Sequence, residues 1–188
     1  MIDKKLYNLS DVAEVVSGYS FRGAIQEEKD SDIFLIQAKD TRNGLSITEN
    51  DLKKISDLNY GDKFVENNDV VMGARGFFSA TCINSSKKII GSSSVYIIKP
   101  DQKKVLSKYL TIYLNSKMGQ AEIKKYETGS TIKTILIGDL KNIRIKIPAL
   151  DEQKKIIELY ENIQRQNKIL ERKKIINQNI LETIFIYK

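Results

Sequence analysis

Histidine is missing from all 188 residues. With it go the Ser-His-Asp and Cys-His nucleophile pairs, the histidine general bases and every zinc site that needs an imidazole. Cysteine occurs once, at Cys82, so there is no intrachain disulfide and no all-cysteine zinc site, and a reducing compartment is the natural setting. The two prolines, Pro100 and Pro148, stand far apart, which removes the Pro-Pro motif of amino-methyltransferases. Neither a Gly-x-x-x-x-Gly-Lys-Ser/Thr loop nor a Gly-x-Gly-x-x-Gly fingerprint occurs. No apolar run approaches the roughly 20 residues that cross a bilayer, and Met1 to Lys5 leads on without the apolar core of a signal peptide. The expectation is a cytoplasmic protein with no cofactor, no metal and no membrane partner.

Hydrophobic residues make up 41% and charged residues 29% of the chain, a globular balance over a length that suits one domain and an appendage. Lys and Arg number 31 against 24 Asp and Glu, a net charge of +7, and such a surplus favours an anionic partner. Before the C-terminal segment, guanidinium groups come only from Arg22, Arg42, Arg75 and Arg144. The other cations are lysines, which suit phosphates better than bidentate contact with base edges.

One catalytic pattern survives these exclusions. Pro100-Asp101 followed by Glu122-Ile123-Lys124 resembles the metal-binding signature of a magnesium nuclease superfamily. Glu-x-Lys recurs at Glu27-Glu28-Lys29 and Glu152-Gln153-Lys154, so the favoured reading puts Asp101 in a turn and Glu122 and Lys124 on a helix face.

Along the chain, Ser10 to Val16 reads as a short helix with Ser10 as N-cap and Gly18 as its stop. Ile33 to Ala38 reads as a strand, with a turn at Asn43-Gly44. Val70 to Met72, Ser79 to Ile83 and Ser94 to Ile98 form an irregular sheet, separated by glycine or by Asn84-Ser85-Ser86-Lys87. Leu106, Tyr109, Leu110, Tyr113 and Leu114 share a helical face with Ser107 as a cap, and a second helix spans about Gln120 to Tyr126. Gly129-Ser130-Thr131 breaks the pattern. From Leu140 to Pro148, Ile143, Ile145 and Ile147 alternate with Arg144 and Lys146, a strand with one buried and one basic face.

Asp151 to Lys188 contains no helix breaker, and a single helix there would be about 57 Å long. Its apolar stripe of Ile156, Leu159, Ile163, Leu170, Ile180 and Ile184 has heptad-like spacing and needs another helix to cover it. Gln166, Lys173 and Asn177 lie in the same seam, where polar residues set register and partner. The alternative is a helix folded back on its own domain.

These residues resemble the specificity subunits of Type I restriction-modification enzymes over almost the whole chain. Leu9 to Gly18 is similar to that family's opening segment. Gly61-Asp62 and Asn68 to Gly76 are similar to its Gly-Asp and Arg-Gly strand-turn. Tyr126 to Thr131, Leu140 to Ile147 and Pro148-Ala149-Leu150-Asp151-Glu152-Gln153 follow in the family's order: a Gly-Ser-Thr turn, an alternating strand and the start of a long helix.

The resemblance implies an α+β chain. Residues 1–149 would form an irregular mixed-sheet domain that recognises one half of a split double-stranded DNA target. Residues 150–188 would form a long coiled-coil-type helix that spaces the halves and docks DNA methyltransferase (modification) subunits, with a restriction subunit as a further partner. It also implies a non-catalytic role. A full family member carries two such domains and two such helices, and this sequence carries one of each, so a homodimer is the favoured assembly. Pairing with another half-subunit and a truncated remnant are the alternatives. A magnesium nuclease and a helical interaction module without sequence preference are the readings from other classes.

DNA recognition by such a chain requires phosphate anchors and base-edge readers on loops. Arg22, Lys39, Arg42, Arg75, Lys87, Lys88 and Lys133 are the candidate cations, and Ser20, Gln37, Ser92, Ser93 and Thr131 the candidate polar readers. These assignments rest on residue chemistry and loop placement, and the alternative to a DNA contact for Lys87-Lys88 is a solvated hairpin.

Overall fold

A computed structural model describes residues 5–42, 44–57, 60, 61 and 63–186. Asn43, of the turn expected at Asn43-Gly44, and Asp62, of the Gly-Asp pair, lie outside the described residues.

Short apolar runs build two packed sheets because they are covered on both faces. Strands β2 (Ala13–Ser17), β4 (Ser46–Ile47), β7 (Val70–Gly73), β8 (Ala80–Ile83) and β10 (Val95–Pro100) form a sheet in the order β2-β10-β7-β8-β4. A second sheet has the order β5-β3-β9-β6, from β3 (Ile33–Ile36), β5 (Lys53–Ile55), β6 (Phe64–Val65) and β9 (Lys88–Gly91). Side chains alternate across each sheet with the two-residue period of a strand. In β7, Val71 joins Phe34, Ile36, Ile89, Val95 and Ile97 between the sheets, while Val70 and Met72 face the helices. Ile33, Leu35 and Ile90 emerge on the outer face of the second sheet, against Tyr60, Tyr19, Phe21 and Phe64.

The helical layer holds α1 (Ser107–Asn115), α2 (Lys117–Lys124) and α3 (Ile137–Lys141), with a ribbon of β1 (Lys5–Asn8) and β11 (Arg144–Ile147). Leu110, Leu114, Ile123, Leu140, Ile143, Ile145 and Ile147 bury themselves against the first sheet. Ile143, Ile145 and Ile147 thus point inward, as their alternation requires, and Arg144 is exposed. The fold is α+β, as expected.

Three local expectations are corrected. Ser10 to Val16 is a 3-10 turn over Leu9–Asp11 followed by β2, and Asn8 rather than Ser10 is the N-cap. Pairing decides this: β2 runs antiparallel to β10, with Val15 opposite Ile98. Ser107 is not the cap of α1 but its buried first residue, and Leu106 occupies the cap position. The Ser116 hydroxyl caps α2, accepting the Gly119 N–H at 3.1 Å and starting that helix before Gln120. Lys88 opens β9, which lies parallel to β3 in the second sheet while β8 belongs to the first, so the alternative of a hairpin at Lys87-Lys88 does not hold.

Helix α4 (Leu150–Ile186) has 37 residues and is about 55 Å long. Ile156 and Ile157 pack on the globular core. Beyond Glu161 every described side chain of α4 is exposed, so the helix does not fold back on its own domain. Among the described residues, no helix is long and apolar enough to cross a membrane.

Candidate nucleic-acid interface

Strand direction gathers several loops at one end of the sheets. The ends of β2, β3, β7 and β9 and the starts of β8 and β10 meet there, because Gly73 pairs with Val95, Met72 with Ala80 and Ile36 with Gly91. Ser94 joins the loops: its hydroxyl accepts the Ala38 N–H at 3.1 Å and its carbonyl accepts the Ala74 N–H at 2.8 Å.

The loop after β7 turns within a few residues. A Cβ on Gly73 would lie 2.0 Å from the Phe77 carbonyl oxygen, so only glycine allows the chain to double back. The Phe77 N–H donates to the Arg75 carbonyl at 2.8 Å, and the Gly76 N–H donates to the Lys133 carbonyl at 2.8 Å. The second bond ties the turn to a projecting loop closed by Thr128 and Thr134, whose backbones exchange bonds of 2.8 and 2.9 Å. At the loop's start Gly129 has φ +92°, and Thr131, Ile132 and Lys133 are exposed. The Tyr96 hydroxyl holds its base by donating to the Ile135 carbonyl at 2.8 Å. Burial pushes that phenol up, against a smaller downward pull from Arg75, so it remains a donor.

The loop after β3 is anchored to the same place. The Thr41 hydroxyl donates to the Ala38 carbonyl and meets the Ser79 hydroxyl, each at 2.8 Å, which fixes Arg42 beside the 74–79 turn. Arg42, Arg75 and Lys133 therefore arrive from three separate segments and are all exposed. Among the described residues, no carboxylate forms an ion pair with any of them. Arg42 and Lys133 line one cleft that also holds Glu127, which pairs with neither, so positive charge is in excess there and an anion is favoured.

Other predicted residues share this end of the sheets. Gln37 and Lys39 follow β3, with Gln37 half-buried and Lys39 exposed; Ser20 and Arg22 are exposed on the loop after β2, but Arg22 lines a cleft with Ile55 and Tyr60, away from Arg42 and Arg75. Ser93 is exposed, whereas Ser92 is buried and its hydroxyl meets that of Ser94 at 2.6 Å. Lys87 and Lys88 are not brought into the group, since Lys88 pairs with Ile33 at the opposite end of β3.

Phe77 was missed by the sequence reading. In Phe77-Phe78 the second ring is 6% exposed and the first 49%. The signal was a doubled aromatic beside a glycine turn, where only one ring can face inward.

The nuclease-like residues are engaged elsewhere. Asp101 sits in a turn, accepting the Lys103 N–H at 3.0 Å and facing Lys104. Glu122 is bonded by Lys125 and lies 3.5 Å from Arg144, and the Lys125 hydrogen bond, opposed by partial burial, lowers its carboxyl. Among the described residues, no three His, Cys, Asp or Glu side chains are grouped to hold a metal ion.

On α4, the stripe residues Leu159, Ile163, Leu170, Ile180 and Ile184 are exposed, and so are Gln166, Lys173 and Asn177. Only Ile156 is partly covered. Ile169, Ile175, Ile176, Leu181 and Phe185 are exposed as well, which makes the distal apolar face broader than the expected stripe.

The chain is similar in sequence and in fold to known proteins. The chain is 29% identical over 167 residues to the Type I restriction enzyme EcoBI specificity subunit of Escherichia coli, covering 81% of this chain and 35% of that protein. Its fold is similar to a chain in a structure of the type I R-M system, with TM-score 0.74 and 19% identity over 96% of this chain and 43% of that one. It is also similar to the HsdS subunit from Thermoanaerobacter tengcongensis, with TM-score 0.61 and 20% identity over 89% of this chain and 39% of that one. For the S subunit from M. genitalium the TM-score is 0.58 and the identity 19%, over 90% of this chain and 41% of that one. The chain thus spans between 35% and 43% of the length of these relatives. A family model described as the Type I restriction modification DNA specificity domain matches residues 1–178, and the chain belongs to that family.

Proposed function

We propose that this chain recognises a duplex DNA sequence without catalysing a reaction, and that the loop end of its sheets is the recognising surface. The observation that carries this reading is the convergence of Arg42, Arg75 and Lys133, from three segments, with no carboxylate partner among the described residues. Three cations on mobile surface loops would be ordinary solvation. Three cations on loops bonded to one another are a preformed anion site. Lys39, Arg75 and Lys133 are assigned to phosphates, and a guanidinium held in a fixed orientation suits a base edge.

In this reading the globular part, through residue 149, addresses one half of a divided target, and α4 is the spacer and docking element. The exposed stripe is to be covered by a second helix, most economically from another copy of this chain, and DNA methyltransferase subunits are to bind the assembly. The test has two parts. The full chain, purified from its native extract, should bring down a methyltransferase subunit in stoichiometric amount. Selection from a random duplex library should enrich a defined sequence; enrichment of none would leave a helical interaction module instead.

A further inference from the structure

Arg42 and Phe77 lie on different loops, yet the guanidinium carbon of Arg42 is 3.1 Å from the centroid of the Phe77 ring. At that distance the cation rests on the ring face, where the ring quadrupole attracts it. Neither group is ordered by chance. Thr41 and Ser79 tie the two loops together through their hydroxyls at 2.8 Å, and the 74–79 turn is held by the Gly73 N–H to Ser79 carbonyl bond at 3.0 Å. Phe77 is half exposed beside the buried Phe78, so its ring contributes little to the core and presents a platform to solvent.

Stacking occupies the face of a guanidinium and leaves its in-plane N–H donors free. No hydrogen bond or ion pair takes those donors among the described residues. A fixed planar fork of unused donors is what bidentate contact with guanine O6 and N7 in the major groove requires. Arg75 and Arg22 are exposed and, among the described residues, neither lies over a ring, and a lysine has no fork.

We infer that Arg42 is the base-reading arginine of this surface, directed at a guanine edge, and that Phe77 is its positioning residue. The inference rests on the DNA-recognition reading above and adds which side chain reads and what holds it.

The test applies the random duplex library to the full chain and to Arg42→Lys, Phe77→Leu and Phe77→Tyr. Wild type should select a motif containing a fixed guanine. Arg42→Lys and Phe77→Leu should each weaken preference at that one position roughly tenfold or more, on the scale of a lost bidentate contact, with affinity for unrelated duplex unchanged. Phe77→Tyr, which keeps the platform, should retain the preference. Equal losses on all sequences would make Arg42 a phosphate contact, and an unchanged preference in Phe77→Leu would remove the positioning role; either overturns the assignment. Wild type selecting no motif would sink the recognition reading itself and this assignment with it. The stacked geometry is checked without DNA. The Arg42 side-chain N–H resonance should shift in Phe77→Leu and hold in Phe77→Tyr, whereas a resonance unmoved by Phe77→Leu would overturn the inference in folded protein.

Discussion

The side-chain oxygen of Gln153 accepts the backbone N–H of Leu106 at 2.8 Å. The same amide donates to the carbonyls of Lys104 and Pro148, each at 2.9 Å. Gln153 is completely buried, so one side chain in the first turn of α4 satisfies the entrance to α1 and the end of the strand before it. That gives the Pro-Ala-Leu-Asp-Glu-Gln stretch a physical reason: its glutamine fixes the direction in which the long helix leaves the domain.

Removing this amide should therefore loosen the helix at its root. Gln153→Ala strands buried polar groups at about 1–3 kcal/mol each, and a loss of roughly 2–4 kcal/mol is expected, since not all three partners stay dry. Gln153→Glu should be no better despite its similar size, because a carboxylate accepts from Leu106 but has nothing to donate to Lys104 and Pro148. Urea unfolding of the three proteins measures this. A glutamate variant as stable as wild type would show that the donated bonds contribute little.

How much of this was legible beforehand depends on where the deciding contacts lie. Helix α4 and β11 were readable because their signals are local: an unbroken stripe, and isoleucines at every second position. Val12 to Val16 was misread because its apolar spacing suits both periods, and the partner that settles it, β10, is distant in sequence. Gly18 followed the same error. It does not stop a helix; a Cβ there would stand 2.0 Å from the Ser92 carbonyl oxygen, a close approach that no local pattern announces. At the candidate site, residue chemistry picked out Arg42 and Arg75. It could not separate them from Lys87 and Lys88, because the direction of β9 decides which end of the sheet a loop joins.

Cys82 should behave as a core residue rather than a reactive thiol. Burial pushes its thiol up to about 11 from an ordinary value of 9.0, with Lys108 pulling slightly down and Asp69 slightly up. At pH 8 the native chain should resist a thiol-specific disulfide reagent and react only after unfolding. The shift has a stability consequence of definite sign. The unfolded chain releases this proton first, so the contribution is full below about pH 9 and is lost as pH rises toward about 11. Tyr109, which burial raises to about 12, continues the decline. Thermal midpoints measured from pH 8 to 11 should fall, and Cys82→Ala should flatten the early part of that fall. Rapid labelling of the native protein at pH 8 would contradict the buried placement.

At the loop end, cations that anchor phosphates should act without regard to sequence. Arg75→Ala and Lys133→Ala should each weaken binding to all duplexes alike and reduce the salt dependence by about one counterion. Lys87→Ala and Lys88→Ala, at the far end of β3, should leave both quantities unchanged. Titrations of one duplex across a salt series decide the matter. If the Lys87 and Lys88 variants carry the salt dependence instead, DNA lies across the opposite end of the sheets.

Among the described residues, the side chains on the apolar face of the helix beyond Glu161 are exposed, and a lone helix in water is held chiefly by the packing of such a face. Ile163 and Leu170 lie one heptad apart on that face, both exposed. In a helix-paired dimer they would be buried twice, once from each copy. Placing two carboxylates there through Ile163→Asp with Leu170→Asp should therefore halve the mass measured by light scattering and lower the helical circular dichroism, while the buried sheets keep their urea transition. Asn177→Ile, which extends the apolar seam, should instead tighten the assembly or alter its subunit number, because a polar residue in such a seam limits the registers it accepts. Retention of a dimeric mass by the double aspartate variant would locate the self-association elsewhere and leave the helix face to a different protein.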